Sequence, residues 1–280
     1  PVRALGRSAE GLAALRARGA QTVPVDLSDA DALTRALEGV SAAFLHLPFV
    51  PVEPVIRTQS EALVHAVRAA RVPHAVFTLS GPAASVPTGV ASFDTKAVAK
   101  EVLTAAGLPL IGLEPVGYLG NLSAPFSAPS VLADDELRYP LPEAHRQRWI
   151  STEDQAALAV AALDRPDLAG RWYAVGETLS GPELAAGIGE GLGRRIRYVP
   201  LDPAQWAHSL VPLMGLQVAQ AVAEDYALLG RGPATLDLAG DTEAVRRDLG
   251  VPATPVAVWA AAQDWAGSAA VMAALTASAR

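Results

Sequence analysis

The sequence has no cysteine and little charge, and each scarcity excludes a class of function. Because none of the 280 residues is Cys, disulfides, thiolate nucleophiles and Cys-ligated zinc or iron–sulfur sites are excluded. Only 18% of the residues are charged, and the net charge is −7. A nucleic-acid partner is disfavoured, because binding phosphates requires a basic face. We expect a cytoplasmic location, the simplest one for a chain without Cys.

Long apolar runs and several catalytic motifs are also missing. Every stretch of about 18 residues contains a helix-breaking or polar residue, so we expect no membrane span. The five His residues, at positions 46, 65, 74, 145 and 208, form no metal-binding pair such as H-E-x-x-H. Neither the G-x-S-x-G nucleophile elbow nor a Walker A loop occurs. Metal catalysis, an α/β-hydrolase and a P-loop nucleotidase are therefore disfavoured.

What the chain does have is a large apolar fraction, 51%, which is enough to bury a sizeable core. In the first half, short apolar runs alternate with amphipathic stretches. The sequence predicts strands at 1–5, 21–25, 42–47, 74–79 and 110–113, and helices at 10–18, after an N-cap at Ser28, at about 54–70 and at 93–106. This alternation predicts an α/β fold with a doubly wound parallel sheet and right-handed crossovers.

The second half has a different texture. Residues 124–142 are rich in Pro and Ser and predict a loop-heavy segment. Ser180 and Glu183 have the spacing of a capping box, which marks the start of a helix. Further elements are predicted as helices at 151–163, over most of 203–229 and as two short ones within 242–265, and as strands at 172–175 and 195–200.

In an open parallel sheet, ligands bind beyond the carboxyl ends of the strands. This rule selects residues that follow each predicted strand in turn. They are Gly6, Arg7 and Ser8; Asp26 and Leu27; Leu47, Pro48 and Phe49; Ser80 and Gly81; and Glu114 to Tyr118.

Several of these residues have two interpretations. An Arg after a strand, as at Arg7, pairs with the 2′-phosphate of NADP in dinucleotide sites, but it is equally an ordinary surface Arg. Asp26 either contacts adenine or its loop, or begins the turn before the next helix. Ser80 either hydrogen-bonds substrate or nicotinamide, or is an ordinary turn serine.

Lys96 is notable because lysine is rare here: Lys96 and Lys100 are the only two. Lys96 lies in the first turns of a helix that approaches the same crevice. There it could hydrogen-bond the nicotinamide ribose or polarise a substrate oxygen. Lys100, one turn further on and beside Glu101, is expected to be solvated.

Four long stretches of the sequence, taken in order along the chain, resemble segments of one family. They are PVRALGRSAE, VPVDLSDADALTRALEGVSAAFLHLP, SFDTKAVAKEVLTAAGLPLIGLEPVGYLGNL and RWISTEDQAALAVAALDRPDLAGRWYAVGETLSGPELAAGIGEGLG. They resemble the NmrA-like family, an atypical branch of the short-chain dehydrogenases/reductases. The resemblance implies a Rossmann-type NADP(H)-binding domain over 1–122 and a smaller α+β substrate part over 123–280, of which 151–176 packs back on the Rossmann sheet.

The resemblance also implies roles for residues. Arg7 corresponds to the 2′-phosphate contact, and Lys96 to the active-site lysine. The resemblance and the rule that ligands bind beyond the carboxyl ends of the strands together assign NADP(H) binding to Arg7, Ser8, Asp26, Leu27, Leu47, Pro48, Ser80, Lys96 and Pro115. They assign substrate contact to Phe49, Gly117 and Tyr118, and catalysis to Lys96.

Two departures from the family pattern stand out. The superfamily uses Tyr-x-x-x-Lys, with Tyr as the general acid, whereas Ser92 stands four residues before Lys96 here. The glycine-rich strand–loop–helix that holds the pyrophosphate is also absent. The glycines at 187, 189, 191 and 193 lie inside a predicted helix and are interpreted as helix packing. We expect roughly 20–30 further residues upstream, forming a strand between those at Val2 and Phe44.

These observations favour an NADPH-dependent reductase of a small carbonyl, quinone or enone. The alternative is a non-catalytic NADP(H) sensor that binds a protein partner, which would not need the missing Tyr. A sugar-nucleotide epimerase is the weaker third possibility, because that chemistry uses the Tyr. A homodimer is compatible with any of these.

Overall fold

The computed structural model describes residues 1–278. Its first half alternates strands and helices as predicted, with small differences at the element ends. The elements are β1 (Arg3–Gly6), α1 (Ala9–Ala17), β2 (Gln21–Pro24), α2 (Ala30–Leu37), β3 (Ala43–His46), α3 (Glu53–Ala69), β4 (Ala75–Thr78), α4 (Ala91–Ala105) and β5 (Leu110–Glu114).

The second half mixes short strands with helices, as predicted for an α+β part. Its elements are β6 (Gly117–Tyr118), α5 (Ala128–Asp134), β7 (Glu136–Tyr139), β8 (Arg146–Ile150), α6 (Thr152–Leu163), β9 (Trp172–Ala174), β10 (Glu177–Ser180), α7 (Gly181–Leu192), β11 (Arg197–Pro200), α8 (Pro203–Met214), α9 (Leu216–Gly230), α10 (Thr242–Leu249), α11 (Val256–Ala261) and α12 (Trp265–Ser278).

The central sheet is parallel, which confirms the predicted fold class. Its strand order is β3-β4-β5-β9, and each neighbouring pair runs in the same direction. The last strand, β9, comes from the second half of the chain and pairs with β5. β1 and β2 form a separate two-stranded parallel sheet. Within residues 1–278, β1 has no strand pairing with β3, and the β1–β2 unit is joined to the rest through packing of α2 on α3.

The strands β4 and β5 are buried on both faces, because helices cover the sheet from each side. Alternate residues of β4 enter different cores: Phe77 packs with the α3 and α4 side chains, whereas Val76 packs with Leu158 on α6. A period of two along the strand separates the two faces. The continuous apolar texture of these strands follows from this double coverage.

Two local predictions were wrong. Segment 124–142 contains α5 and β7 rather than mainly loop. Pro129 stands in the first turn of α5, where a missing N–H costs nothing, so this proline marks a helix start. The N-cap of α2 is Asp29 rather than Ser28: the Asp29 carboxylate accepts from the Ala32 N–H at 2.9 Å. Both residue types cap helices, and the choice between them is a shift of one position.

The capping box and the glycine-rich helix are confirmed. The Ser180 hydroxyl and the Glu183 carboxylate satisfy each other's backbone N–H groups at the start of α7. A Cβ atom at Gly187 would lie 2.8 Å from the Cβ of Val256, and one at Gly191 would lie 2.3 Å from the Ala257 carbonyl oxygen. These glycines therefore let α11 approach α7 closely. Within the described part of the chain, no helix is both long and apolar enough to cross a membrane.

Candidate active site

The carboxyl ends of β3 and β4 form a small cleft with the start of α4. It is lined by Leu47, Pro48 and Phe49 after β3, by Ser80 after β4, and by Lys96 on α4. Neighbouring parallel strands end at the same edge of a sheet, and this brings the segments together. The structure thus assembles five of the predicted site residues in one place.

Lys96 is the chemically distinctive group of this cleft. Its Nζ donates a hydrogen bond to the Ser92 carbonyl oxygen at 2.7 Å. The same atom lies 5.8 Å from the ring centre of Phe49 and 5.3 Å from that of Phe93. A Cβ atom at Gly81 would lie 3.1 Å from Lys96 Cε. The side chain therefore lies against the turn after β4, between two aromatic rings.

Burial gives the Lys96 ammonium an unusual acidity. Loss of hydration lowers the pKa of Lys96 to about 8, and the negative charge of Asp225 opposes that decrease. A group with this pKa is largely protonated at neutral pH and gives up its proton readily. It therefore meets the requirement for a general acid that works near neutral pH.

Asp225 comes from α9, in the second half of the chain. Its carboxylate accepts a hydrogen bond from the Ser92 hydroxyl. Burial raises the pKa of Asp225, whereas the Ser92 hydrogen bond and the Lys96 charge lower it. Asp225 could not be predicted from the sequence, because 133 positions separate it from Ser92 and an Asp on an amphipathic helix carries no local signal.

A neutral polar group lies next to Asp225 on the same helix. The Tyr226 hydroxyl hydrogen-bonds the Tyr139 hydroxyl, and the Asn121 side chain bonds both. Burial raises the pKa of Tyr226 to about 12. Both phenols therefore stay protonated at neutral pH and add no charge to this region.

The predicted residues after β1 and β2 lie on the separate two-stranded sheet. Arg7 is exposed, and within residues 1–278 its guanidinium has no hydrogen bond or ion pair with another side chain. The Ser8 hydroxyl caps α1 by accepting from the Gly11 N–H at 3.1 Å. The Asp26 carboxylate accepts from the Ser28 N–H at 2.8 Å. Leu27 packs against the core beside α2 and α3. Of these residues, Arg7 has its polar atoms free for a ligand.

The predicted site residues after β5 lie outside the cleft that contains Lys96. Gly117 and Tyr118 form β6, which pairs with β8. A Cβ atom at Gly117 would lie 2.7 Å from the Gln147 amide nitrogen, so close packing requires Gly there. Tyr118 packs against the core that contains α6, and burial raises the pKa of Tyr118. Pro115 lies between β5 and β6.

The prediction that Lys100 is solvated was wrong. Its Nζ forms an ion pair with the buried Glu114 carboxylate at 2.5 Å and lies 5.1 Å from the ring centre of Trp172. The other Glu114 oxygen accepts from the Ala83 N–H at 2.8 Å. Lys100 therefore neutralises a buried carboxylate at the end of β5, which leaves Lys96 as the lysine that lines the cleft.

The residues present fit the two ends of a dinucleotide. The free Arg7 guanidinium suits a phosphate on the adenosine, and the Lys96 ammonium, beside Ser80, suits ribose or acceptor oxygens. By contrast, residues 1–278 contain no group of three or more His, Cys, Asp or Glu side chains placed to hold a metal ion.

The chain is similar in sequence to known reductases. The chain is 32% identical over 266 residues to an NAD(P)H azoreductase from Xenophilus azovorans, with 94% of this chain and 89% of the relative covered. It is 31% identical over 267 residues to the (4-alkanoyl-5-oxo-2,5-dihydrofuran-3-yl)methyl phosphate reductase of Streptomyces griseus, with 93% and 89% covered.

The fold itself has solved counterparts. An NADPH-dependent quinone oxidoreductase (QOR2) from Escherichia coli, in complex with NADPH, superposes with a TM-score of 0.73 at 22% identity, covering 92% of this chain and 88% of the other. The model of the NmrA-like family matches residues 1–246. The chain therefore belongs to the NmrA-like family.

Proposed function

We propose that this protein is an NADPH-dependent reductase of a small carbonyl, quinone or enone. The observation that carries the proposal is the half-buried Lys96 side chain at the carboxyl edge of a parallel sheet, whose pKa desolvation lowers to about 8. Two relatives that cover most of the chain are named as reductases. Both names describe acceptors with a conjugated, electron-poor bond, which is the chemistry that hydride transfer requires.

The bound cofactor would supply the hydride, and the chain's own residues would do the rest. Arg7 pairs with the 2′-phosphate and so selects NADPH over NADH. Lys96 hydrogen-bonds the acceptor oxygen and donates a proton to it as charge develops there. The ring of Phe49, which is 44% exposed, offers a flat apolar wall for a planar acceptor.

The division of the chain follows from this proposal. Residues 1–122 form the cofactor-binding domain, and residues 123–280 form mainly the substrate part. Segment 151–176 returns to the sheet: β9 pairs with β5, and α6 contacts β3 and β4. α9 contacts α4 and brings Asp225 to Ser92, so the substrate part reaches the helix that carries Lys96.

The decisive experiment measures NADPH binding and NADPH oxidation separately. Fluorescence titration should show stronger binding of NADPH than of NADH. Oxidation of NADPH is then followed with a panel of quinones, enones, aldehydes and azo dyes. We expect turnover with at least one planar acceptor. Absence of NADPH binding would overturn the proposal outright.

A non-catalytic NADP(H) sensor is the second candidate, and one observation favours it. Ser92 occupies the position of the usual Tyr acid, and its hydroxyl is engaged by Asp225. NADPH binding without turnover of any acceptor in the panel would favour the sensor. A protein partner would then have to bind the NADP⁺ and NADPH forms with different affinities.

A further inference from the structure

Two helices that are far apart in the sequence meet at the lysine of the cleft. Ser92 contacts both charged groups: its carbonyl oxygen accepts from Lys96 Nζ, and its hydroxyl donates to the Asp225 carboxylate. Ser92 is buried, with 3% of its surface exposed, and Asp225 is half-buried. The three residues therefore form one connected group between α4 and α9.

The connection changes the role that Ser92 can play. Ser92 precedes Lys96 by one helical turn and so lies on the same face of α4. A serine hydroxyl is shorter than a phenol, and this one already donates its proton to Asp225. Lys96 is therefore the group that donates a proton to an acceptor in the cleft, and Ser92 holds Asp225 in place.

The charges around Lys96 identify what keeps it protonated. Loss of hydration favours the neutral amine, and the charge that acts against it is that of Asp225. From β3 and β4, the cleft residues Phe49 and Ser80 carry no charge. On α4, Asp94 is engaged by the Thr88 hydroxyl and the Gly89 N–H. On α9, Glu224 is exposed and acts on Asp225, and Tyr226 is neutral.

We propose that Asp225 is a positioning residue for Lys96: held by Ser92, its carboxylate keeps the Lys96 side chain protonated and aimed at the acceptor. The proposal rests on the reductase function proposed above. As hydride adds to the acceptor carbon and the C=O π bond breaks, a Lys96 N–H bond breaks and the new O–H bond forms. NADPH becomes NADP⁺, and Lys96 regains its proton from water, because the negative charge of Asp225 favours the protonated form.

A purely structural role for Asp225 makes a different prediction. If the carboxylate only ties α9 to α4, Asp225→Asn keeps the shape and can still accept from the Ser92 hydroxyl. The protonation of Lys96 would then be unchanged. If Asp225 supports the ammonium, the same variant lowers the pKa of Lys96, because burial is no longer opposed.

The scarcity of lysine makes this measurable in the intact protein. Growth on lysine labelled with ¹³C at Cε gives two lysine signals, and Lys100→Arg assigns them. We expect the Lys96 signal to titrate with a midpoint of about 8 in the unaltered chain. In Asp225→Asn we expect a decrease of about one pH unit, the size of effect that a nearby opposite charge produces. The matched control, Glu224→Gln, removes the same charge one position away and should leave the midpoint in place.

A second variant tests the same inference in case Asp225→Asn does not fold. Ser92→Ala keeps the carboxylate but releases it from α4, and we expect a smaller decrease in the Lys96 midpoint; Ser92→Thr, which retains the hydroxyl, should restore it. An unchanged midpoint in either Asp225→Asn or Ser92→Ala overturns the inference. In the pH profile of kcat/KM, the fall above the Lys96 midpoint should move to lower pH in Asp225→Asn. Absence of turnover in the unaltered chain would instead count against the proposed function.

Discussion

The two ends of the predicted crevice differ in how many contacts within the chain hold the functional side chain in place. At the ends of β3 and β4, Lys96 is fixed by a hydrogen bond, two aromatic rings and a charged neighbour from α9. At the end of β1, Arg7 is exposed and its guanidinium has no side-chain partner within residues 1–278.

The difference separates chemistry from recognition. A proton donor must have its pKa set before the acceptor arrives, which requires burial and fixed partners. A phosphate contact needs only a free cation, because the ligand itself completes the ion pair. Variants of the first region should therefore alter the rate and its pH dependence, and variants of the second should alter cofactor affinity.

The largest expected effect is on turnover when Lys96 is replaced. Lys96→Met keeps the length and the apolar part of the side chain but removes the proton donor. General acids contribute about 10²- to 10⁴-fold, so we expect kcat to fall by about a hundredfold or more. Fluorescence titration should find NADPH affinity weakened far less than kcat, because Lys96 would contribute only a ribose hydrogen bond to the cofactor.

A matched control for this variant is Glu224→Gln, an exposed change near the same cleft that should leave kcat unchanged. Equal activity of Lys96→Met and the unaltered chain would remove Lys96 from the chemistry and would indicate another proton donor.

Next in size is the effect of Arg7 on cofactor choice. Hydrogen bonds to charged groups are worth about 1.5–3 kcal/mol, so Arg7→Ala should weaken NADPH binding by about tenfold to a hundredfold. NADH binding should change little, because it has no 2′-phosphate. Arg18→Ala, another exposed Arg beside the same two-stranded sheet, is the control. Parallel losses for NADPH and NADH would contradict the assignment.

The third effect is the pH dependence of the unaltered chain. Lys96 must be protonated to donate, and its pKa is about 8. Raising the pH through 8 deprotonates it, so kcat/KM should be constant below that value and fall about tenfold per pH unit above it. A rate that keeps rising through pH 9 would show that the donor is a group other than Lys96.

Much of the fold followed from local patterns in the sequence. Each βα unit of the first half carries its own apolar strand and amphipathic helix, so short-range patterns were sufficient. The rule that ligands bind at the carboxyl ends of strands then placed Phe49 and Ser80 at one crevice. Lys96 was added because its helix approaches that crevice and because the family resemblance gives it the role of the active-site lysine. The prolines of segment 124–142 misled because a proline in a helix's first turn and a proline in a loop look alike in sequence.

Contacts between distant segments could not be predicted. Asp225 reaches Ser92 across 133 positions, and its importance depends on how α9 packs on α4. Lys100 looked like a solvated helix residue, but its partner Glu114 lies at the buried end of β5. In both cases the role of the residue depends on how far packing removes a charged group from water. A local sequence pattern does not show this.

The smallest expected effect tests the local order of the β1–β2–α2 unit, which carries Arg7 but lacks the fixed contacts of the Lys96 cleft. Asp29→Ala removes the side chain that caps α2, and loss of an N-cap costs about 1 kcal/mol. Ser28→Ala should cost much less, because the structure assigns Ser28 no capping bond. Denaturant unfolding measures both, and NADPH titration shows whether a frayed α2 displaces Arg7. If Ser28→Ala is the more destabilising of the two, α2 begins one residue earlier than the structure indicates.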